Sequence, residues 1–230
     1  MTCFKRHIYE IFLKSHFALA LFVMYALWRH LSIRKAFARV YIVAAAGALL
    51  SSTAFHGLFV LARNIAYKKP LSRAHLEHRN NAVKVVLTVP RPFKVRAGQY
   101  VYVWIPGISF WSIFQSHPFA ITWWEENESG DAVTLSLLVQ SRGGFTDKLL
   151  RYTTSNNEFV AWIDGPYGAN TDLGRYGTVL LFATGIGIAA QISCIRELMQ
   201  GYKECRVITR KIVLAWETDE ESERARMSLR

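Results

Sequence analysis

The sequence has few of the residues that hold together a disulfide-rich secreted protein or a structural metal site. Its 230 residues include three cysteines, Cys3, Cys194 and Cys205, which form neither an even-numbered disulfide set nor a zinc-ligand spacing. The first residues also lack the short apolar core and small-residue cleavage site of a signal peptide. We therefore expect reduced thiols in a cytosolic part of the protein and no cleaved leader.

Acidic residues are scarce: the chain has 17 of them against 28 lysines and arginines, which leaves a net charge of +11. A charge of this sign suits either nucleic acid or anionic lipid. The basic residues flank two apolar segments, and the outer flanks, such as Lys5 and Arg6 before the first and Lys68 and Lys69 after the second, are more basic than the loop between. This distribution favours membrane lipid over nucleic acid and predicts that both outer flanks are cytoplasmic.

Two long segments carry very few charges. Residues 8–31 and 40–62 are each about long enough to span a bilayer. The first is interrupted by titratable residues, namely Glu10, Lys14, His16 and Arg29. The second contains His56 as its only titratable residue. We expect two transmembrane helices, and a pair of buried helices in a soluble bundle is the alternative.

The remainder of the chain reads first as strands and then as alternating strand and helix. Runs rich in β-formers lie at 82–89, 97–105, 119–124, 132–140 and 158–163. Pro, Gly, Asn and Ser separate them, which predicts a small antiparallel barrel interrupted by one helix from Thr146. After Gly177 a strand, a helix and a second strand indicate the start of a parallel nucleotide-binding sheet. The expected domains are a membrane part with a basic connector at 1–79, a barrel at 80–168 and a partial α/β domain at 169–230.

Two histidines in the first apolar segment have a spacing that is compatible with haem ligation. His16 and His30 lie fourteen residues apart, which on a helix is a rise of about 21 Å and a rotation about 40° short of four turns. They share a helix face, and imidazole is a common axial ligand of haem iron. Both also lie near the ends of the span, where a histidine reaches headgroup water, so the spacing alone leaves ligand and interfacial residue equally open.

Two short motifs in the barrel region offer backbone to a ligand. Pro118 precedes an apolar strand, where its missing amide suits a strand edge against which a flat ring can lie. Gly143 and Gly144 permit close backbone approach, Thr146 can cap the following helix, and the helix amino terminus can bind a phosphate. Each motif also fits a plain strand start or a glycine turn before a capped helix.

The third motif lies at the junction between the strand and the helix that follow Gly177. Gly185, Gly187 and Ala190 fit the dinucleotide pattern G-x-G-x-x-A, directly after the strand TVLLFAT and before a helix. The stretch DGPYG at 164–168 is a turn by composition. No acidic residue ends a second strand about twenty positions further on, so the usual ribose contact is not visible.

Taken in order, these motifs resemble those of the ferric reductases of fungi and, more distantly, of the NADPH oxidases. Residues 9–30 are similar to the histidine-bearing fifth membrane helix of that family. The segments AGQYVYVWIPG, HPF, GGFT, DGPYG and TGIGIAA follow in the order of its ferredoxin-reductase-like FAD and NADPH modules. The resemblance runs from Ile8 to Glu217 and implies the cofactors FAD, NADPH and haem b.

The resemblance also implies a set of site residues. The haem irons would be bound by His16 and His30. The flavin would be lined by His117, Pro118, Phe119 and Thr122, and its pyrophosphate would be bound by Arg142, Gly143, Gly144, Phe145 and Thr146. The nicotinamide nucleotide would contact Gly165, Pro166, Tyr167, Gly168, Gly185 and Gly187. No catalytic residue is assigned.

The implied function is that of a membrane ferric-chelate reductase component, which passes electrons from NADPH through FAD to haem and on to an extracytoplasmic ferric chelate or cupric ion. It implies a plasma-membrane location with the FAD and NADPH part in the cytoplasm. The alternatives are a superoxide-producing NADPH oxidase and an inactive truncated subunit that binds a full-length relative.

Three departures from the family pattern affect this expectation. Ala120 stands where the family often has a hydroxyl residue, which moves the expected hydrogen bond to Thr122. The second haem ligands would have to come from a partner chain or from further N-terminal helices. The nucleotide-binding domain, at 169–230, is less than half of an ordinary domain.

Overall fold

The computed structural model describes residues 2–31, 37–79, 82–108, 116–153, 158–169 and 171–217. It divides into two compact units, Met1–Phe59 and Val60–Arg230. Helix α1 spans Thr2–Leu31 and helix α2 spans Phe37–Asn64, so the last turn of α2 belongs to the second unit.

Both helices of the first unit carry exposed apolar side chains. Phe22 and Phe55, for example, are 65% and 74% exposed. Among the residues that the structure describes, one helix, Arg39–Asn64, is long and apolar enough to cross a membrane. It contains the second predicted span. The first predicted span is helical, and its crossing of a membrane stays a prediction.

The second unit begins with an antiparallel barrel of seven strands. They are β1 (Arg73–Arg79), β2 (Ala82–Phe93), β3 (Tyr100–Trp104), β4 (His117–Glu126), β5 (Ala132–Gln140), β6 (Glu158–Val160) and β7 (Trp162–Tyr167). Their order in the sheet is β6-β1-β2-β5-β4-β3-β7. The two outermost strands, β6 and β7, are consecutive in the chain and meet at Ala161, so one bent segment closes the barrel. All the predicted β-rich runs are strands.

Alternation of apolar residues along the strands produces the barrel core. Leu87, Val101, Ile121, Leu135 and Ile163 are each at most 1% exposed and belong to one cluster. Helix α3 (Phe145–Tyr152) lies between β5 and β6 and adds Phe145 and Leu149 to this cluster.

The barrel starts earlier in the chain than the sequence indicated. Strand β1 begins at Arg73, within residues 1–79, which the sequence assigns to the membrane part and its connector. Its outward residues are charged or histidine, whereas the inward residues Ala74 and Leu76 are buried. Because the strand has only two apolar residues among charged residues and histidines, its alternation of inward and outward side chains is not evident from the sequence.

The last turn of α2 is part of the barrel wall. The Asn64 side chain is 1% exposed, accepts a hydrogen bond from the Ile163 amide at 2.8 Å and donates one to the Ile163 carbonyl at 2.8 Å. Further along, the Ser72 carbonyl accepts a bond from the Ala161 amide at 3.0 Å. The backbone groups of Ile163 on the outer edge of β7 are therefore satisfied by the helix end.

The C-terminal part is a strand–helix–strand unit. Strands β8 (Thr178–Thr184) and β9 (Lys211–Glu217) are parallel, and α4 (Ile188–Lys203) connects them. Val179, Leu181 and Leu198 form a small buried cluster between the sheet and α4. On the opposite sheet face Leu180 and Phe182 are exposed, the latter by 71%. The predicted strand–helix–strand order is confirmed.

Candidate functional site

Strands β4 and β5 part from each other at one end of the barrel. Residues His117–Ala120 of β4 pair with β3, whereas pairing with β5 begins only at Ile121. Pro118 therefore lies where the second edge of β4 has no strand beside it, a position that tolerates its missing amide. The edge of β4 that has no strand beside it, from His117 to Ala120, is called the opening below; α3 follows β5 at the same end of the barrel.

Three aromatic side chains meet at this opening. The His117 ring stacks on the Phe145 ring, with centroids 4.1 Å apart and 14° between the planes. Phe119 lies 6.4 Å from each of them. The first residue of α3 is thus held against the first residues of β4, which brings the sequence motifs HPF and GGFT together.

The loop before α3 exposes backbone rather than side chain. Gly143 and Gly144 have φ angles of 95° and 60°, a region that favours glycine. A Cβ added at Gly143 would meet nothing within 4 Å. The space beside this loop is open, and the amino-terminal amides of α3 supply the positive end of a helix dipole to an anion.

Thr146 has a role other than the predicted one. Gly144 is the N-cap of α3 and makes no side-chain capping bond. The Thr146 hydroxyl instead accepts a bond from the Arg142 amide at 2.9 Å and donates one to the Gly143 carbonyl at 3.0 Å. The prediction that Thr146 caps the helix is wrong, because it lies within the first turn and closes the preceding loop.

Thr122 lies at a β-bulge where β4 joins β5. Ile121 pairs with Leu137 and Trp123 with Ser136, so Thr122 is the extra residue. Bulges redirect side chains, and both Ile121 and Thr122 are buried. The Thr122 hydroxyl is buried without a hydrogen-bond partner in the described part of the chain. Such a group is costly unless a ligand satisfies it.

The DGPYG segment lies on the opposite side of β3, and the prediction that it is a turn is wrong, because Asp164–Tyr167 are the end of strand β7 and pair with β3. Gly165 has a φ of 131°, and a Cβ there would be 3.3 Å from the Tyr100 carbonyl oxygen. The rings of Tyr100, Tyr102 and Tyr167 lie 5.7–5.9 Å apart. The Tyr167 hydroxyl donates to Asp164 at 2.7 Å, and burial together with this hydrogen bond raises the pKa of Tyr167 to about 12. Tyr167 therefore stays a neutral donor.

A second open site lies at the carboxyl ends of β8 and β9. The Gly185–Gly187 turn leads into α4, and a Cβ at Gly187 would meet nothing within 4 Å. The strand ends form a cleft of about 620 Å³, which is lined by Phe182, Ala183, Thr184, Ala215, Trp216 and Glu217. This is where open α/β sheets bind nucleotides.

Glu217 and Trp216 were missed by sequence reasoning. Glu217 is the last residue of β9 and pairs in register with Thr184, and the Trp216 indole donates to the Gly185 carbonyl at 3.0 Å. The dinucleotide pattern expects an acidic residue about twenty positions after the glycines, whereas β9 begins only at Lys211 and ends at Glu217. The signal that could have found it is the strand end itself.

Three basic residues that follow α4 could meet a 2′-phosphate by charge, but none of them lines this cleft. Arg206 pairs with Glu204, and the Arg210 guanidinium lies 5.4 Å from the Tyr202 ring centroid. Lys211 is the first residue of β9, at the end of the strand away from the cleft.

The two histidines proposed for haem lie on α1. Both side chains are exposed within the chain, and His16 stacks on Phe12 at 5.8 Å. Among the described residues no group of three or more His, Cys, Asp or Glu could hold a metal ion. His16 and His30 lie at two different heights along one helix, so each could supply one axial ligand to a different haem. A six-coordinate haem iron needs two axial ligands, so the second ligand of each haem would have to come from elsewhere.

Comparison with known proteins agrees with this geometry. A family profile described as an FAD-binding domain matches residues 68–171, which are the barrel and its closing strands. The chain is 32% identical over 148 residues to the probable cell surface ferric reductase kap2 of Aspergillus oryzae, covering 59% of this chain and 19% of that protein. Ferric reductase transmembrane component 4 of Saccharomyces cerevisiae is 26% identical over 203 residues, covering 86% of this chain and 26% of that protein.

A plant oxidase and a solved reductase are also similar. Respiratory burst oxidase homolog protein B of Arabidopsis thaliana is 32% identical over 154 residues, covering 56% of this chain and 17% of that protein. Phthalate dioxygenase reductase has a TM-score of 0.48 at 20% identity, covering 65% of this chain and 44% of that structure. The chain therefore spans between 17% and 26% of the length of these curated relatives.

The barrel and its profile match define the class of the protein: it carries an FAD-binding domain of the kind used by flavin-dependent oxidoreductases. The motifs and the similarity to fungal ferric reductases and plant oxidases then support a narrower assignment, a member of the ferric reductase and NADPH oxidase family.

Proposed function

We propose that this chain is the flavin-binding part of a membrane ferric-chelate reductase. Electrons would come from a reduced nicotinamide nucleotide, pass through FAD to haem, and reach an extracytoplasmic ferric chelate or cupric ion. The observation that carries the flavin step is the stacking of His117 on Phe145, which holds the first residues of β4 against the amino terminus of α3; the buried hydroxyl of Thr122 on the same strand, which has no hydrogen-bond partner among the described residues, supports it.

The residues at this opening fit FAD in chemistry. His117 and Phe119 offer flat rings beside the opening. Thr122 offers a buried hydroxyl for a hydrogen bond to the ring system. It would replace the hydroxyl that the family often has at the position of Ala120. The Gly143–Gly144 backbone and the α3 amides suit the pyrophosphate, because the site supplies N–H donors without side-chain obstruction. Bound FAD would supply two-electron acceptance and one-electron release.

The cleft at β8 and β9 is proposed to hold the nicotinamide nucleotide. The Gly185–Gly187 turn precedes the amino terminus of α4 and suits the pyrophosphate. The family suggests NADPH. Glu217 favours NADH instead, because a carboxylate at this strand end accepts hydrogen bonds from a ribose 2′-hydroxyl and repels a 2′-phosphate.

Haem, localisation and acceptor are proposed from the resemblance. His16 and His30 would each supply one axial ligand, and the second ligand of each haem would come from other helices. The α2 helix and the membrane relatives support membrane association, and we propose a plasma-membrane location with the flavin part in the cytoplasm. The similarity to a respiratory burst oxidase homolog keeps a superoxide-producing oxidase as the second candidate.

The flavin site is tested by Thr122→Val, with Thr134→Val on the exposed side of β5 as the control. Loss of the partnerless hydroxyl should leave the flavin-free chain as stable as the wild type or about 1 kcal/mol more stable. FAD affinity should fall about five- to tenfold, since about 1 kcal/mol of hydrogen bonding is lost. Thermal unfolding without FAD and fluorescence titration with FAD measure the two effects. Unchanged FAD affinity would remove Thr122 from the site, and absence of FAD binding by the wild type would contradict the proposal.

A further inference from the structure

One face of α4 is polar and does not point to solvent. Ser193, Arg196, Glu197 and Gln200 recur at helical spacing and therefore share a face. Each of them contacts the FAD-binding barrel. Polar residues on a surface helix usually mark its solvated side, so this stripe calls for a structural reason.

The amino-terminal half of the stripe binds the loop before β3 through its backbone. The Gly98 amide donates to the Ser193 hydroxyl at 3.2 Å, and the Ala97 amide donates to the Glu197 carboxylate at 2.5 Å. Glu197 also pairs with Arg96 at 3.4 Å. These bonds have defined directions, so they specify how α4 lies against the loop rather than merely holding the two together.

The other half of the stripe binds β4. The Arg196 guanidinium lies 3.8 Å from the Trp124 ring centroid and 3.4 Å from a Glu126 carboxylate oxygen. The Trp124 indole donates to the same carboxylate at 2.6 Å, and Gln200 donates to its other oxygen at 3.2 Å. The Arg196 side chain is 12% exposed, which limits the screening of this pair by solvent.

These polar contacts surround a cleft of about 280 Å³ between the barrel and α4. An apolar seam would tolerate sliding, whereas a planar guanidinium stacked on an indole and paired with a carboxylate has few alternative arrangements. The junction is therefore set by orientation-dependent contacts.

We propose that Arg196 is a positioning residue that holds α4, and with it the Gly185–Gly187 turn at the amino end of α4, in one orientation on the FAD-binding barrel. The effect on electron transfer rests on the proposed function: a turn that binds the nucleotide must present its nicotinamide to the flavin, and a small misplacement slows such a step strongly. Arg196 would act through Trp124 and Glu126 without touching either cofactor.

The first arm of the test measures the junction itself on the full chain in detergent micelles with FAD. Arg196→Ala should raise hydrogen–deuterium exchange in α4 and in residues 123–126 about tenfold, while β1 and β2 exchange as in the wild type. Arg196→Lys keeps the charge but loses the planar stack on Trp124, so its exchange rates should lie between those of the wild type and Arg196→Ala. Lys203→Ala, on the exposed end of the same helix, is the control and should change neither segment. Unchanged exchange in Arg196→Ala would overturn the proposal.

The second arm separates positioning from stabilisation. In single-turnover reduction of bound FAD by NADH or NADPH, Arg196→Ala should lower the limiting rate about tenfold or more and leave the half-saturating nucleotide concentration within about twofold. Faster exchange with an unchanged limiting rate would show a merely structural contact and would overturn the positioning role. If neither nucleotide reduces the wild-type flavin, the proposed function fails, and the exchange arm alone decides whether Arg196 holds the junction.

Discussion

Glu126 shows how single residues at the junction between barrel and α4 depend on ionisation. Burial acts to raise the pKa of this carboxyl, but hydrogen bonds from Trp124 and Gln200 and the nearby Arg196 charge outweigh it, and the net pKa is lowered. The carboxylate therefore stabilises the fold above its unfolded pKa of about 4.3. This stabilisation is lost as the pH falls through the lower folded pKa.

The corresponding prediction is a pH-dependent stability difference between wild type and Glu126→Gln. At pH 7 the wild type should have the higher melting temperature, and the difference should shrink as the pH falls below about 4.3 and vanish below the lowered folded pKa, where the carboxyl is protonated in both the folded and the unfolded chain. Thermal unfolding between pH 3 and pH 7 measures the difference. The control is Glu128→Gln, in the exposed turn after β4, which should show no such pH-dependent difference in melting temperature from the wild type. A difference between wild type and Glu126→Gln that does not decrease between pH 5 and pH 3 would show that the charge is not responsible.

Thr122 illustrates a different residue-scale arrangement, in which a polar atom is buried without a partner. Thr122 is the extra residue of a bulge in β4, and its hydroxyl is buried although the regular alternation of the strand is interrupted there. Native proteins retain few such groups without a functional reason. This residue is therefore the sharpest single probe of the flavin site.

At the scale of elements, α2 and β7 are joined by an amide that takes the place of a strand. The Asn64 side chain provides both the donor and the acceptor that a neighbouring strand would provide to Ile163. Arg63, one residue earlier, places its guanidinium 4.2 Å from the Phe93 ring centroid. The helix end is thus bound to the barrel by specific contacts as well as by the chain.

Asn64→Leu should consequently destabilise the barrel. The substitution leaves the amide and the carbonyl of Ile163 buried without partners, which costs about 2–5 kcal/mol in total. Hydrogen–deuterium exchange of β7 should rise, with the largest change at residues 161–165. Asn64→Asp keeps the acceptor for the Ile163 amide but loses the donor to the Ile163 carbonyl. The second carboxylate oxygen should then repel the Ile163 carbonyl oxygen. Exchange of β7 equal to that of the wild type would show that water replaces the side chain without cost.

At the scale of the whole molecule, the FAD-binding unit extends back into the helix that carries the candidate membrane span. Strand β1 and Asn64 both precede the domain boundary that composition indicates at residue 80, and both contribute buried groups. The flavin unit and the end of α2 are therefore expected to fold together.

This expectation predicts different behaviour for two fragments that end at Arg230. A fragment from Val60 keeps Asn64 and β1 and should bind FAD, with fluorescence quenching that survives gel filtration. A fragment from residue 80 loses β1, exposes the β2 edge and the core beneath Ala74 and Leu76, and should aggregate or release its flavin. Equal FAD retention by the two fragments would mean that β1 and the helix end are dispensable.

Local patterns in the sequence determined much of this architecture. The apolar run of α2, the alternating strands and the glycine turn before α4 are each written in a few neighbouring residues, because helix and strand periodicity and glycine conformation are local properties. The order of HPF, GGFT, DGPYG and TGIGIAA was likewise enough to indicate the family.

Only the tertiary structure decided which of these segments meet and what their polar groups do. Asn64 and Ile163 are 99 positions apart, and Ala97 and Glu197 are 100 apart, so no local pattern connects them. The bulge that buries Thr122 and the late strand end that carries Glu217 depend on how β4 and β9 pair with their neighbours. Burial and hydrogen-bond partners belong to the packed chain, and for this reason the residues that join its parts became visible only in the fold.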